Sequence, residues 1–557
     1  MNKKRLPKST YPNRYEIELD VDLDNFSYTG AQKVDLNVVE ATNNIVLNSV
    51  GIEVTKAKIQ TSKQDIPLEV NYIEEDEKIV FESQETLSEG VYELYLEFNS
   101  EITNDLKGFY KSSYMSEDGE KKWIATTQFE PTAARSAFPC WDEPEYKAIF
   151  SMTIITDEKY LRVSNEMVVE EEKVENNKLR TKFADSMKMS SYLVAFVIGD
   201  LEATVVGKSK TTDIRIIHRP GFSHQTSYAG TAAIKLLDFF EDYYKIPYPG
   251  TKLDLIAIPD FAMGAMENVG AVTFRENLLL FDKDKATRSE LDRSITVIAH
   301  ELAHMWFGDL VTMKWWDGIW LNEAFASLME VIASYNTYPE FKQWNAMNMS
   351  RTAGFSIDSL ENSRPVEFDV ETPDQAEEMF DVLTYEKGST VLRMFQMFIG
   401  EEAFQNGVEA YLNKFKFENT NSSDLWDALS EASNQPLNKI LPFWIREKGY
   451  PFLQVDCSNN FLTIKQKPFL LKNVETDKNN IKPVPVQIKF LDTGNEEKFL
   501  LDEAERVIDL KNLGEVPHIN SGGWGFFHTF YDDEVFENIL ANFDKLNDLE
   551  KYRLLED

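Results

Sequence analysis

The sequence predicts a multidomain α+β protein. In the first 200 residues apolar and charged side chains alternate, as in residues 15–24 and again in residues 92–98, a period that is typical of strands with one wet face. After about residue 225 the apolar residues recur at helical spacing, and alternation returns after Gly449. A chain of 557 residues has room for about three or four domains. We therefore expect boundaries near residues 201, 449 and 531.

The first predicted domain, residues 1–201, is a β saddle or sandwich, because Asn-, Asp- and Gly-rich breaks separate its alternating runs. Residues 202–449 are predicted to be mainly helical with some β structure. Their predicted elements are helices at 228–244, 291–307, 321–335 and 386–398 and a short strand at 254–258.

Residues 450–531 are predicted to form a small β-sandwich domain, since Phe461, Thr463 and Lys465 alternate with Leu462, Ile464 and Gln466. Residues 532–557 carry an apolar stripe at helical spacing, from Val535 to Tyr552, and this stripe predicts a single amphipathic helix. The stripe must be covered, so it packs back on the body or it meets a partner.

Acidic residues outnumber basic ones by 94 to 58, for a net charge of −36. Such a charge disfavours nucleic acid and anionic membrane surfaces as partners. The two cysteines form no metal-binding or disulfide pattern. There is neither an apolar signal segment nor a run of about 18 apolar residues. These observations predict a cytoplasmic protein.

Residues 300–304 read His-Glu-Leu-Ala-His, within an apolar run that predicts a helix. Positions i and i+4 share one helix face, so His300 and His304 can reach one metal ion. Glu301 points about 100° away from His300 and is placed to take a proton from water. Zinc with three protein ligands and one open position suits this pattern. Glu323, in Asn322-Glu323, is the predicted third ligand, and Asp309 is a candidate to orient a histidine.

This pattern alone predicts only a zinc hydrolase, since endopeptidases share it. Upstream, however, residues 264–268 read Gly-Ala-Met-Glu-Asn and residues 127–131 read Thr-Gln-Phe-Glu-Pro. Two further stretches belong with these motifs, residues 138–144 and Thr384-Tyr385-Glu386-Lys387-Gly388. With these motifs the chain resembles the gluzincin zinc aminopeptidases of the aminopeptidase N type, which include puromycin-sensitive and tricorn-interacting relatives. One departure is Ala133, where relatives commonly carry Asp.

The resemblance implies a thermolysin-like zinc catalytic domain at 202–449 that holds one Zn²⁺ per chain. It implies release of the N-terminal residue from peptides by metal-activated water, with Glu301 as the general base and Tyr385 donating its hydroxyl to the oxyanion. A carboxylate group near the metal would recognise the free amine of the substrate. The implied substrate-binding residues are Glu267, Glu130, Gln128, Gly264, Ala265, Met266, Asn268 and, for the first side chain, Met263.

Two other interpretations stay open at this point. Family members that also hydrolyse epoxides resemble Gly-Gly-Met-Glu-Asn, and Ala265 argues against that activity. A non-catalytic scaffold on the same fold would lack the ligands that this chain keeps.

Relatives in the family continue into a large helical domain. The resemblance therefore implies that residues 532–557 are the first helix of a truncated helical domain, with a separately encoded helical partner as one explanation.

Overall fold

The computed structural model describes residues 5–61, 64–471 and 481–557. The chain divides into two compact units. The first unit comprises the described part of Met1–Trp316 together with Val370–Glu377 and Leu412–Thr420. The second unit comprises Asp317–Asp369, Glu378–Tyr411 and the described part of Asn421–Asp557.

The N-terminal part of the first unit is built from strands, as the alternating pattern predicts. They form a ten-stranded sheet in the order β12-β13-β10-β1-β2-β7-β4-β5-β6-β3 and a four-stranded sheet in the order β11-β14-β9-β8. Leu19 and the other apolar members of the 15–24 run are buried, so the predicted wet and dry faces are confirmed. The strands are β1 Thr10–Asp22, β2 Ser27–Val38, β3 Thr42–Asn48, β4 Glu53–Gln60, β5 Ile66–Ile73, β6 Lys78–Leu87, β7 Gly90–Glu101, β8 Gly108–Met115, β9 Lys121–Gln128, β10 Ile149–Asp157, β11 Leu161–Ser164, β12 Val168–Lys173, β13 Lys178–Phe183 and β14 Phe196–Gly199.

The rest of the first unit contains a five-stranded sheet in the order β15-β16-β17-β19-β18. Helix α2 begins with a capping box, in which the Thr287 side chain accepts from the backbone of Glu290 and the Glu290 side chain accepts from the backbone of Thr287. This arrangement fixes where the helix of the His-Glu-Leu-Ala-His motif starts. The elements are β15 Glu202–Ser209, β16 Thr212–His218, α1 Ser227–Tyr244, β17 Lys252–Ile258, β18 Ala265–Met266, β19 Ala271–Arg275, α2 Arg288–His304 and β20 Thr312–Met313.

The following segment is largely helical, as predicted. A π-helical turn at Leu383–Lys387 leads directly into α6, and Lys387 forms a fully buried ion pair of 2.8 Å with Asp358 at the end of α4. The elements are α3 Trp320–Thr337, α4 Gln343–Asp358, α5 Pro373–Glu378, α6 Gly388–Ile399, α7 Glu401–Phe415, β21 Asn419–Thr420, α8 Ser422–Ser433, α9 Leu437–Ile440 and α10 Pro442–Ile445. Strand β21 pairs with β20, and both strands belong to the first unit.

The C-terminal part of the second unit returns to β structure. One sheet has the order β26-β23-β22-β28 and the other the order β25-β24-β27. The strands are β22 Tyr450–Ser458, β23 Phe461–Phe469, β24 Val484–Phe490, β25 Glu496–Leu501, β26 Glu505–Asp509, β27 Pro517–Ile519 and β28 His528–Tyr531.

Residues 532–557 fold as two helices, α11 Asp533–Leu540 and α12 Asp548–Glu556, rather than the single helix predicted from the apolar spacing. Asn547 caps the second helix in a capping box with Glu550, so a local start signal interrupts the continuous stripe. Val535 and Ile539 pack against Leu491 and Val516 of the preceding β structure. The stripe is therefore covered, in part, by the chain itself.

The succession of a β-rich part, a helical part and a further β part is confirmed. The domain boundaries at 201, 449 and 531 stay predictions. Among the described helices, none combines the length and the apolar character that crossing a bilayer requires.

Candidate metal centre and its surroundings

Helix α2 carries His300, Glu301 and His304 in its last turns. Residues four apart lie on one face of a helix, and the Nε2 atoms of the two histidines lie 3.1 Å apart. His304 is 1% exposed and Glu301 is 5% exposed. The two imidazoles are therefore brought together, as predicted. Glu301, the residue after His300, is buried as well.

The His304 ring is oriented by a backbone carbonyl. Its Nδ1 atom lies 2.9 Å from the carbonyl oxygen of Phe307, and a carbonyl only accepts, so Nδ1 carries the proton. In the neutral ring Nε2 is then a lone-pair donor to a metal. Two nitrogens bound to a tetrahedral zinc ion at its usual distance lie about 3.3 Å apart. The spacing and the tautomer of these residues fit a zinc ion.

Asp309 does not have the role suggested from the sequence, because the hydrogen bond at His304 Nδ1 goes to Phe307. The Asp309 side chain is fully buried, and within the described residues its carboxylate oxygens make no hydrogen bond. Burial, and then the nearby charge of Glu267, raise the pKa of this carboxyl well above its usual range.

Two buried carboxylates converge near His304. Glu130 follows the end of β9, Glu267 follows β18, and they are 8% and 3% exposed. An oxygen of one lies within 4.8 Å of an oxygen of the other, and Glu267 Oε1 is 3.8 Å from His304 Nδ1. Two buried carboxylates so close together repel each other, and a cation between them relieves that repulsion. This arrangement can bind an ammonium group.

The Gly-Ala-Met-Glu-Asn segment lies at the edge of the five-stranded sheet. Ala265 and Met266 form β18, whose only sheet neighbour among the described strands is β19. The Gln128 amide donates to Met266 Sδ at 3.3 Å, and the Asn268 amide donates to the Thr273 hydroxyl at 3.3 Å. An edge strand leaves backbone groups on its outer side for an extended peptide.

Gly264, which precedes β18, accepts from the backbone N–H of Arg275 at 2.9 Å. Met263 is 49% exposed, so its side chain is available at the surface of the first unit.

The second unit carries the other two predicted residues. Glu323 lies in the first turn of α3 and is 3% exposed. Tyr385 is half-buried in the π-helical turn that precedes α6. A Cβ atom at Gly388 would lie 2.6 Å from the Cβ atom of Ala324. Gly388 therefore permits the turn of Tyr385 to pack closely on the helix that carries Glu323.

Comparison with known proteins decides the family. Residues 11–193 match the peptidase M1 N-terminal domain, and residues 228–444 match the peptidase family M1 domain. The chain belongs to peptidase family M1.

Its relatives in family M1 include Aminopeptidase M1-A of Oryza sativa subsp. japonica and Aminopeptidase M1 of Arabidopsis thaliana, at 37% and 38% identity over 99% of this chain. Puromycin-sensitive aminopeptidase of Caenorhabditis elegans is 37% identical over 97% of the chain. The chain spans 64%, 65% and 58% of the lengths of these three relatives, respectively.

The sequence did not reveal the residues that orient His304 through the loop after α2. Phe307 acts through its backbone carbonyl, which no residue type reveals. Lys147 and Tyr192 hold the neighbouring carbonyls. Lys147 lies three residues after the stretch at 138–144, and a charged residue just before the buried strand β10 was the available signal.

Proposed function

We propose that this protein is a zinc-dependent aminopeptidase that removes the N-terminal residue from peptides. The observation that carries the proposal is the pair of buried carboxylates of Glu130 and Glu267 beside His304. An enzyme that cleaves after one residue must bind a free amine at a fixed short distance from the reacting carbonyl. An internal segment of a peptide has no free α-ammonium group at that distance to offer such a pair.

We propose His300, His304 and Glu323 as the ligands of one zinc ion. Two imidazoles and one carboxylate form a donor set that zinc favours in catalytic sites. The 3.1 Å spacing of the two Nε2 atoms supports this assignment. When bound, zinc supplies a Lewis acid that polarises the scissile carbonyl and makes water a stronger nucleophile.

The remaining steps belong to side chains of this chain. Glu301 takes the proton of the attacking water and passes it to the leaving amine. The Tyr385 hydroxyl donates to the oxygen that becomes negative in the transition state. Glu267 and Glu130, assisted by Gln128, hold the substrate ammonium group.

The backbone of β18 aligns the substrate in this proposal. Gly264, Ala265 and Met266 offer edge-strand hydrogen bonds to the extended peptide. Asn268 fixes the turn after the strand through its bond to Thr273. Met263, whose side chain is half exposed, contributes to the pocket for the first side chain.

The experiment is a panel of aminoacyl anilides assayed with the purified chain, with and without a chelator. Each substrate is paired with its N-acetylated form, which has the same side chain but no ammonium group. We expect the free forms to be cleaved, the acetylated forms to be inert, and the chelated protein to recover on addition of zinc. Equal cleavage of free and acetylated substrates would contradict the proposal.

A cytoplasmic location is part of the proposal. Cys140 and Cys457 are both free thiols, which suits a reducing compartment. The thermolysin-like catalytic domain at 202–449 and a separately encoded helical partner likewise stay proposals. Cell fractionation tests the location, and co-purification of the native protein tests the helical partner.

A further inference from the structure

The loop that follows α2 is held by side chains at four consecutive backbone carbonyls, those of residues 307–310. His304 Nδ1 donates to the first, at 2.9 Å. The Tyr192 hydroxyl donates to the second, at 3.2 Å. Lys147 Nζ donates to the third and the fourth, at 3.0 and 3.2 Å. The carbonyl that orients His304 is therefore the first of a continuous row.

Two backbone N–H groups of the same loop turn the other way. Those of Asp309 and Leu310 donate back to the carbonyls of His304 and Met305 at the end of α2, at 3.1 and 3.3 Å. Gly308 has a φ of 128°, a value that only glycine adopts readily. With the N–H groups bound to the helix, the carbonyls are turned toward the N-terminal β structure, where Lys147 and Tyr192 lie.

A lysine at position 147 carries a free-energy cost of burial. It is 5% exposed, and burial lowers the pKa of its amine to about 7. Burying a lysine costs more than burying an apolar side chain of similar length. Its two hydrogen bonds fall on adjacent carbonyls of one loop, so what they add is a fixed loop position.

We propose that Lys147, together with Tyr192, is a positioning residue for His304. Together with the Thr312 hydroxyl, which also donates to the Gly308 and Asp309 carbonyls, the two side chains hold residues 308–310. The loop holds the Phe307 carbonyl, and that carbonyl keeps the proton on Nδ1 and aims Nε2 at the metal position. The inference rests on the proposed function, because the ligand role of His304 belongs to it.

The test measures the affinity of the full chain for zinc alone, by competition with a chelator of known affinity. Loss of a group that orients a ligand typically weakens metal binding 10- to 100-fold, and we expect Lys147→Met to lose about tenfold. Lys147→Arg keeps donors for both carbonyls and should recover part of the affinity. Tyr192→Phe removes one hydroxyl and should weaken zinc binding about two- to tenfold.

Lys252→Met is the matched control. Lys252 is also buried in the first unit, and its Nζ donates to the carbonyls of Ser164 and Gly270 and to Asp254. Its loss should lower the unfolding midpoint, as the loss of Lys147 should, yet leave zinc affinity unchanged. A merely structural role of Lys147 predicts the same behaviour for both lysine variants.

The outcomes separate this inference from the proposed function. If the unaltered chain binds zinc and cleaves anilides while Lys147→Met and Tyr192→Phe bind zinc equally well, the positioning role is wrong and the enzyme stands. If Lys147→Met does not fold, Tyr192→Phe decides alone. If the unaltered chain binds no zinc, both proposals fail together.

Discussion

The Nε2 atoms of His300 and His304 lie 3.1 Å apart, one helical turn from each other on α2. Two nitrogen lone pairs cannot face each other so closely without a proton or a cation between them. Since Nδ1 of His304 is already committed to the Phe307 carbonyl, Nε2 of that ring is left to accept. This relationship supports the proposed zinc site.

Glu301→Gln should retain zinc and lose turnover. Glutamine has the same shape as glutamate but is not a base, and positioned general bases contribute about 10²- to 10⁴-fold to rate. We expect kcat to fall within that range while metal content, measured by atomic absorption, stays at one zinc per chain. A variant that keeps both zinc and full activity would remove Glu301 from the mechanism.

Glu267→Gln should weaken recognition of the substrate amine. A hydrogen bond to a charged group contributes about 1.5–3 kcal/mol, so kcat/KM for an aminoacyl anilide should fall about 10- to 100-fold. Glu170→Gln, on the exposed edge strand β12, removes the same charge elsewhere and should leave kcat/KM unchanged. Equal effects of the two variants would point to the overall charge instead.

Tyr385→Phe removes one hydroxyl and should lower kcat more than it changes KM. Loss of one donor to a developing oxyanion costs about 10²- to 10³-fold in kcat. Steady-state kinetics with one anilide substrate measure both constants. An increase in KM at constant kcat would instead assign Tyr385 to ground-state binding.

Gly270→Ala should destabilise the turn between Asn268 and β19. Gly270 has a φ of +72°, and a Cβ atom there would lie 2.1 Å from the carbonyl oxygen of Asn165. Gly51, with a φ of +66° and no atom within 4 Å of such a Cβ, is the control. We expect Gly51→Ala to lose about 1–2 kcal/mol from the left-handed backbone and Gly270→Ala about 3 kcal/mol or more. Urea unfolding measures both, and equal losses would show that the contact with Asn165 relaxes.

His518 should make the protein less stable in acid. It is 3% exposed, and burial, opposed by the charges of Glu550 and Asp557, lowers its pKa from 6.5 to about 4. Between these values the unfolded chain binds a proton that the folded chain does not. Stability therefore rises with pH across this window and is lost as the pH falls through it.

His518→Gln should remove that dependence, which amounts to at most about 3 kcal/mol. Urea unfolding of both proteins at the two ends of the window measures it. Parallel pH profiles of the variant and the unaltered chain would exclude His518 as the source.

Local sequence patterns predict much of the secondary structure and the histidine pair. Alternation around Leu19 predicts a strand, helical spacing predicts α1 and α2, and a four-residue interval puts His300 and His304 on one face, because each of these depends only on backbone periodicity. The motif at 264–268 likewise places two small residues close to a carboxylate in the sequence itself.

Tertiary structure decided what those patterns leave undetermined. The apolar stripe at 532–557 predicts one helix, but a local signal, the capping box at Asn547, starts a second one. The fold decides what covers the stripe, and Ile539 lies in one buried cluster with Leu491. Asp309 lies five residues from His304, yet the bond that orients the ring comes from the Phe307 carbonyl. Lys147, which binds the carbonyls of that loop, lies 162 and 163 residues before them in the chain. Periodicity acts over a few residues, whereas hydrogen-bond partners are chosen by distant segments that meet only when the core packs.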